Sequence, residues 1–273
     1  MKNIIIPTDF SENSKHALSY AYNLYKEEGC NFYLVNAYDT PHAGVGVLVS
    51  IIDVLKKESE KDMEDFYATL EKDGLTEGVK FHKICDHGSL VDVVMRIYKR
   101  YDADLIVMGT KGAGGIRELL IGSNTSDIIN NSSCPIIVVP EKADLNKPKS
   151  ILLSSDNKVF ADSNSFTSIR DIAVNNNSKI LVLNVKNSPI STDVTTEIKE
   201  NYADLLNGAS HSFESIEDED VTEAICSYVS SNDIDLIAMT SRKIGFLESL
   251  FHKSMTEEMA MHTSVPLLIM YES

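Results

Sequence analysis

Three glycines and a serine at fixed spacing are the residues of this sequence best suited to bind an anion. Gly109 follows the apolar run 105–108, Gly112 comes after two intervening residues, and the pair Gly122 and Ser123 comes after nine more. Glycines let the backbone approach a ligand closely with its N–H groups turned toward it. The chemistry that this spacing predicts is the binding of phosphate.

A helix start follows the last of these glycines. Residues 124–127 (NTSD) place a small polar residue three positions before a carboxylate, and the apolar Ile128 and Ile129 come next. Unpaired N–H groups and the positive end of the helix dipole attract phosphate, and the hydroxyls of Ser123 and Thr125 are further donors. The pattern is neither the Walker motif nor the dinucleotide motif GxGxxG.

Strands and helices alternate along the first half of the chain. Short apolar runs predict strands at 4–7, 31–37, 80–86, 105–108 and 135–140, and periodic stretches predict helices from residue 11 and over 49–73 and 90–100. This alternation is typical of a parallel α/β sheet. The glycine turn then lies at the carboxyl end of the fourth strand.

The pattern restarts after a polar linker at 142–149. Residues 233–239 repeat 102–108, and 265–269 repeat 134–138, both at an offset of 131 (233 − 102 and 265 − 134). Residues 151–156 likewise repeat 4–9, so that Asp156 stands where the first half has Asp9. The sequence therefore predicts two tandem domains of one fold.

The second copy lacks the glycines. At the offset of 131, Gly109 becomes Thr240, Gly112 becomes Lys243 and Gly122 becomes Lys253, while Ser123 remains a serine as Ser254. Side chains stand where the backbone had to approach phosphate. We expect the second domain to keep the fold and to lose the phosphate site.

Composition narrows the classes of partner and the location. The 273 residues carry a formal charge of −16, from 41 acids and 25 bases, which repels nucleic acid and anionic membranes. The four cysteines form no CxxC pair, as is typical of a reducing cytosol, and no apolar run has the length of a membrane span. We expect a cytoplasmic protein without nucleic-acid or membrane partners.

The spacing G-x2-G-x9-G-[S/T] resembles the signature of the universal stress protein family. The resemblance implies two tandem Rossmann-like α/β domains, each a five-stranded parallel sheet flanked by helices, at 1–142 and 149–273. It implies that the first domain binds ATP, with or without Mg²⁺, and that the second has a degenerate motif.

The resemblance also implies roles for particular residues. Asp9 would accept from ribose hydroxyls, Ala37 would meet the adenine edge, and Asn124 replaces an apolar residue often found there. The full set of implied nucleotide-binding residues is Pro7, Asp9, Ala37, Met108, Gly109, Gly112, Gly122, Ser123, Asn124 and Thr125.

Two of these interpretations have simpler alternatives. Asp9 is also a common helix-entry residue, and its repetition as Asp156 in the half without glycines supports that role, but its position and motif together favour the ligand role in the first half. His82, Cys85 and His87 suggest a metal site, but residues 82 and 85 would face opposite sides of a strand. We expect no metal there.

Enzyme signatures such as GxSxG and HExxH are absent from the sequence, and no catalytic residue is assigned. The leading hypothesis is an ATP-binding stress-response protein whose C-terminal repeat is an internal pseudo-dimer partner, with a homodimer and an unidentified protein partner as further expectations. The alternatives are a protein-interaction module that does not use nucleotide and a slow, Mg²⁺-dependent ATP hydrolase.

Overall fold

The computed structural model describes residues 1–39, 48–110, 122–160, 164–186, 195–241, 259 and 263–272. Its chain divides into two compact units, Met1–Cys134 and Pro135–Ser273. Gly112, Lys243, Lys253 and Ser254 lie outside the described residues.

In the described residues of the first unit, four strands alternate with four helices. In chain order they are β1 (Asn3–Pro7), α1 (Glu12–Tyr25), β2 (Asn31–Tyr38), α2 (Leu48–Lys72), β3 (Lys80–His87), α3 (Leu90–Tyr101), β4 (Leu105–Gly109) and α4 (Ser123–Asn131). The strand order is β3-β2-β1-β4, and β1 pairs in parallel with both β2 and β4. Central strands covered on both faces need continuous apolar runs, and Ile4, Ile5 and Ile6 are fully buried.

The second unit contains the remaining elements. They are β5 (Ile136–Val139), β6 (Ser150–Ser155), a short 3₁₀ turn (Asn164–Phe166), α5 (Thr167–Asn176), β7 (Lys179–Lys186), α6 (Thr196–Leu205), β8 (Ser210–Glu217), α7 (Val221–Ser231), β9 (Leu236–Ser241) and β10 (Leu267–Tyr271). The strand order is β5-β10-β9-β6-β7-β8. The pairs of β6 with β7 and β9, of β7 with β8 and of β9 with β10 are parallel, whereas β5 and β10 are antiparallel.

The sequence repeat is reproduced in the backbone. Asp102 and Asp233, related by the offset of 131, both adopt the left-handed conformation before their strands, with φ of 47° and 48°. Phe10 and Asn157, related by an offset of 147 (157 − 10), do so after β1 and β6, with φ of 64° and 54°. This conformation is uncommon for non-glycine residues. Its presence in both members of each pair indicates that the two copies make the same turns.

The two copies differ after their first strand. In the first copy, α1 begins at Glu12, five residues after β1 ends. At the offset of 147, its first two turns (12–19) correspond to 159–166, but α5 begins only at Thr167. Phe160 in this stretch is buried, and its backbone N–H and C=O bond the side chain of Asn201 at 3.0 Å each.

The predicted fold class is confirmed: the chain is a tandem α/β protein with mostly parallel strands flanked by helices. Two features were not predicted. One is the antiparallel pairing of β5 with β10, which groups β5 with the second unit. The other is the late start of α5.

Candidate functional site

The predicted site residues on or directly after β1, β2 and β4 lie at one edge of the sheet. β1 lies between β2 and β4, and Pro7 pairs with Val35 in the parallel register. Asp9 follows β1, Ala37 lies near the end of β2, and Gly109 ends β4. Because parallel strands end at the same edge, this edge is where open α/β sheets bind ligands.

Hydrogen bonds fasten the start of α4 to the end of β4. The N–H of Gly122 donates to the carbonyl of Thr110 at 2.8 Å, and the hydroxyl of Thr125 donates to the carbonyl of Gly109 at 3.1 Å. Residues 110 and 122 are thereby brought together across the stretch 111–121. The helix N-terminus is held at the strand-end edge.

The first turn of α4 presents backbone donors. The carbonyl of Gly122, the N-cap residue, accepts from the N–H groups of Thr125 and Ser126 at 3.0 and 3.1 Å. The N–H groups of Ser123 and Asn124 precede the first intrahelical bond, and the described part of the chain supplies them with no acceptor. Two donors at a helix N-terminus suit an anion.

The side chains of this turn differ in their surroundings. Ser123 and Asn124 are exposed. Thr125 is buried, with 3% of its surface exposed, and its hydroxyl already donates to Gly109. In this arrangement Thr125 stabilises the turn, whereas the hydroxyl of Ser123 faces solvent.

Gly109 has a packing reason to be glycine. A Cβ atom built at this position would lie 2.6 Å from Nδ2 and 2.9 Å from Cγ of Asn13, which is on α1. Real Cβ atoms do not approach other heavy atoms so closely, so a side chain at 109 would displace Asn13. The close approach of α1 to β4 therefore depends on this glycine.

Asp9 is exposed and takes part in the entry to α1. Its Oδ1 accepts from the hydroxyl of Ser11 at 2.6 Å and from the Ser11 N–H at 3.2 Å. Ser11 is in turn the N-cap of α1 and accepts from the N–H of Ser14. Pro7 and Met108 are buried, and Ala37 is half-buried. The carboxylate of Asp9 thus has a helix-entry role in addition to the ligand role implied by the resemblance.

A side chain that the sequence analysis did not single out joins the ends of β1 and β2. Asn36 Nδ2 donates to the carbonyl of Thr8 at 2.8 Å, and Asn36 Oδ1 accepts from Ser59 Oγ on α2 at 2.7 Å. Asn184 on β7 donates in the same way to the carbonyl of Ser155 at 2.9 Å. The signal in the sequence was an asparagine at the same place in two strands, 31–37 and 179–185, each directly after an apolar run.

The histidines and cysteine of β3 do not converge. His82 stacks on Tyr33 with ring centroids 4.7 Å apart, and Tyr33 also contacts Tyr101 of α3. Cys85 lies beside Ser59 of α2, on the other face of the sheet. Among the described residues, no group of three or more His, Cys, Asp or Glu side chains is placed to hold a metal ion.

Burial affects the thiols as their surroundings predict. Desolvation raises the pKa of Cys30 to about 11 and also raises the pKa of Cys134, Cys85 and Cys226. Thiols with a raised pKa are weak nucleophiles at neutral pH.

None of the helices that the structure describes is long and apolar enough to cross a membrane.

Parallel strands, a glycine turn at their carboxyl ends and a repeat of the whole arrangement define a duplicated, Rossmann-like α/β protein. The chain belongs to the universal stress protein family, whose sequence model matches residues 1–140 and 149–270.

Individual relatives agree with this assignment. Universal stress protein MJ0531 of Methanocaldococcus jannaschii is 33% identical over 142 residues, which are 50% of this chain and 81% of that protein. Universal stress protein YxiE of Bacillus subtilis is 24% identical over 143 residues, covering 50% of this chain and 97% of that protein. The crystal structure of a universal stress protein from Archaeoglobus fulgidus has the same fold over 99% of this chain and 96% of its own, with a TM-score of 0.76 and 16% identity.

Proposed function

We propose that the first repeat binds ATP at the carboxyl ends of β1, β2 and β4. The observation that carries the proposal is the bond between Gly122 and Thr110, which holds the N-terminus of α4 at the end of β4. The N–H groups of Ser123 and Asn124 at this helix N-terminus are suited to donate to phosphate oxygens. The glycine spacing of the family is intact in this repeat.

The other proposed contacts with ATP lie at the same edge of the sheet. Asp9 accepts from ribose hydroxyls, and the backbone of Ala37 meets the adenine edge. Met108 and Gly109 line the ribose, and Gly112 joins the phosphate contacts. Mg²⁺ accompanies the phosphates. The protein acts as a cytoplasmic nucleotide-dependent binding protein rather than as an efficient enzyme.

The second repeat acts as a built-in partner for the first, in an internal pseudo-dimer. Support comes from the antiparallel pairing of β5 with β10, which are corresponding strands of the two repeats. The replacement of Gly109 by Thr240 at the end of β9 and the late start of α5 support the absence of nucleotide from this repeat. The predicted domains, 1–142 and 149–273, are the sequence units of this arrangement.

Calorimetric titration with ATP, with and without Mg²⁺, tests the proposal on the wild type and on Gly122→Lys. Gly122 has φ of −60°, which any residue adopts, so the lysine does not strain the backbone. We expect one ATP per chain for the wild type and none for the variant. Asn130→Lys is the matched control, because it adds the same charge on the same helix at an exposed position away from its start.

Other outcomes would favour the alternatives. If the wild type binds no ATP, the protein is an interaction module that does not use nucleotide. If bound ATP is turned over in the presence of Mg²⁺ and Gly122→Lys abolishes turnover, the protein is a slow hydrolase.

A further inference from the structure

Asn36 connects three elements around the turn that carries Asp9. Its Nδ2 donates to the carbonyl of Thr8, which belongs to the peptide bond between Thr8 and Asp9. Its Oδ1 accepts from Ser59 on α2. Asn36 also directly precedes Ala37 in the chain. One side chain therefore links α2 and the ends of β1 and β2.

The geometry of this side chain is fixed at both ends. An amide NH₂ only donates and an amide oxygen only accepts, so a carbonyl on one side and a donating hydroxyl on the other permit a single orientation of Asn36. Ser59 is buried, with 6% of its surface exposed, which protects its bond from water. The link is therefore a rigid one.

The backbone on both sides of Asp9 is held as well. The N–H of Thr8 donates to the carbonyl of Val35 at 2.8 Å, and the N–H of Phe10 donates to Thr8 Oγ1 at 2.9 Å. Phe10 adopts the left-handed conformation, which a non-glycine residue keeps only when its surroundings determine it. Asn36 supplies the bond to the Thr8 carbonyl, one of the two peptide carbonyls between these anchors.

The second repeat keeps half of this link. Asn184 Nδ2 donates to Ser155 in the same way, but no described residue donates to the buried Oδ1 of Asn184. The bond between neighbouring strands is thus common to both repeats. Among the described residues, the bond to the following helix, made by Ser59, is found in the repeat with the intact glycine motif and not in the other.

We propose that Asn36 is a positioning residue for nucleotide, held by Ser59, that fixes Asp9 relative to Ala37. The inference rests on the proposed function, because these two residues are the ones assigned to ribose and adenine. Asn36 acts through the Thr8 carbonyl and the backbone of Ala37. The equivalent Asn184 has only the scaffold role.

Matched substitutions in the two repeats separate these roles. Leucine has the branching of asparagine without its hydrogen bonds, and the change leaves the charge unaltered. In ATP titrations of the full chain, we expect Asn36→Leu to weaken binding about ten-fold, as the loss of one ordering hydrogen bond would. We expect Asn184→Leu to bind like the wild type, and Ser59→Ala to show a loss of about three-fold, because it frees only one end of the amide.

Two measurements distinguish the outcomes. Urea unfolding establishes that each variant is folded, and hydrogen exchange without nucleotide should rise at residues 8–10 in Asn36→Leu but not in Asn184→Leu. Wild-type affinity in folded Asn36→Leu, or equal losses in Asn36→Leu and Asn184→Leu, would overturn the proposal. If Asn36→Leu does not fold, Ser59→Ala decides, and unchanged affinity there overturns it. A wild type that binds no ATP refutes the proposed function instead, and this inference with it.

Discussion

Ile137 and Leu268 are direct partners in the antiparallel ladder of β5 and β10, and they occupy equivalent positions in the two sequence repeats (137 + 131 = 268). The neighbouring pairs, Ile136 with Ile269 and Val138 with Leu267, are arranged symmetrically about them. Equivalent strands paired in this register have a local two-fold axis between them. This is the arrangement that isologous contacts between identical subunits produce.

A charged side chain at the centre of the ladder between β5 and β10 should therefore lower the free energy of unfolding. Ile137 and Leu268 are both fully buried. We expect Ile137→Asp and Leu268→Asp each to lower the free energy of unfolding by about 3 kcal/mol or more, because a carboxylate is buried without a partner. Urea denaturation measures the change. Val54→Asp, at a position with 51% exposure, is the control and should change stability little; equal stability of all three variants would contradict the role of the ladder.

Gly109 and Asn13 should be energetically coupled. The Cβ of Gly109→Ala meets the Asn13 side chain, so we expect a loss of about 1 kcal/mol that Asn13→Ala largely relieves in the double variant. Urea unfolding of the four proteins in this cycle gives the coupling energy. Gly29→Ala is the control: Gly29 has φ of +65° and open space around it, so its cost is backbone strain that Asn13→Ala leaves unchanged. A coupling energy near zero would show that Asn13 moves aside freely.

The buried thiol of Cys30 should make stability fall in alkali. Its pKa is raised from 9.0 to about 11 in the folded state, so above pH 9 the unfolded chain loses this proton while the folded chain keeps it. The free energy of unfolding therefore falls as pH rises through this window. Urea unfolding at the two ends of the window should show a smaller fall for Cys30→Ala than for the wild type. Parallel pH profiles would assign the fall to other groups.

Much of the fold was predictable because each signal was local. The apolar runs that became β1 and β4 are continuous, as parallel strands require, and the offset of 131 is the same from Asp102 to Cys134. The pairing of β5 with β10 was not predictable, since the partner of an edge strand depends on tertiary structure. Before α5, the backbone of Phe160 bonds to the side chain of Asn201, which is 41 residues away, and a contact so distant in sequence leaves no local signal.

The candidate site was predictable in outline. Glycine spacing predicted a helix N-terminus near the end of β4, and the N–H of Gly122 at the start of α4 donates to the carbonyl of Thr110 at 2.8 Å. The hydrogen bond from the Thr125 hydroxyl to the Gly109 carbonyl was not predictable from the sequence, because a threonine at a helix start has several possible acceptors. A role for Asn36 was not predicted, because a single polar residue within a strand creates no periodic pattern in the sequence.

An aromatic cluster around Phe160 bears on whether glycine substitutions alone could give the second repeat a nucleotide site. Phe160 packs on Phe166 and Tyr202, and the Tyr202 hydroxyl lies 2.8 Å from Ser155 Oγ at the end of β6. Replacing Thr240, Lys243 and Lys253 with glycine would leave this aromatic cluster in place. Substitutions confined to the glycine motif would therefore leave the two halves structurally different after their first strands.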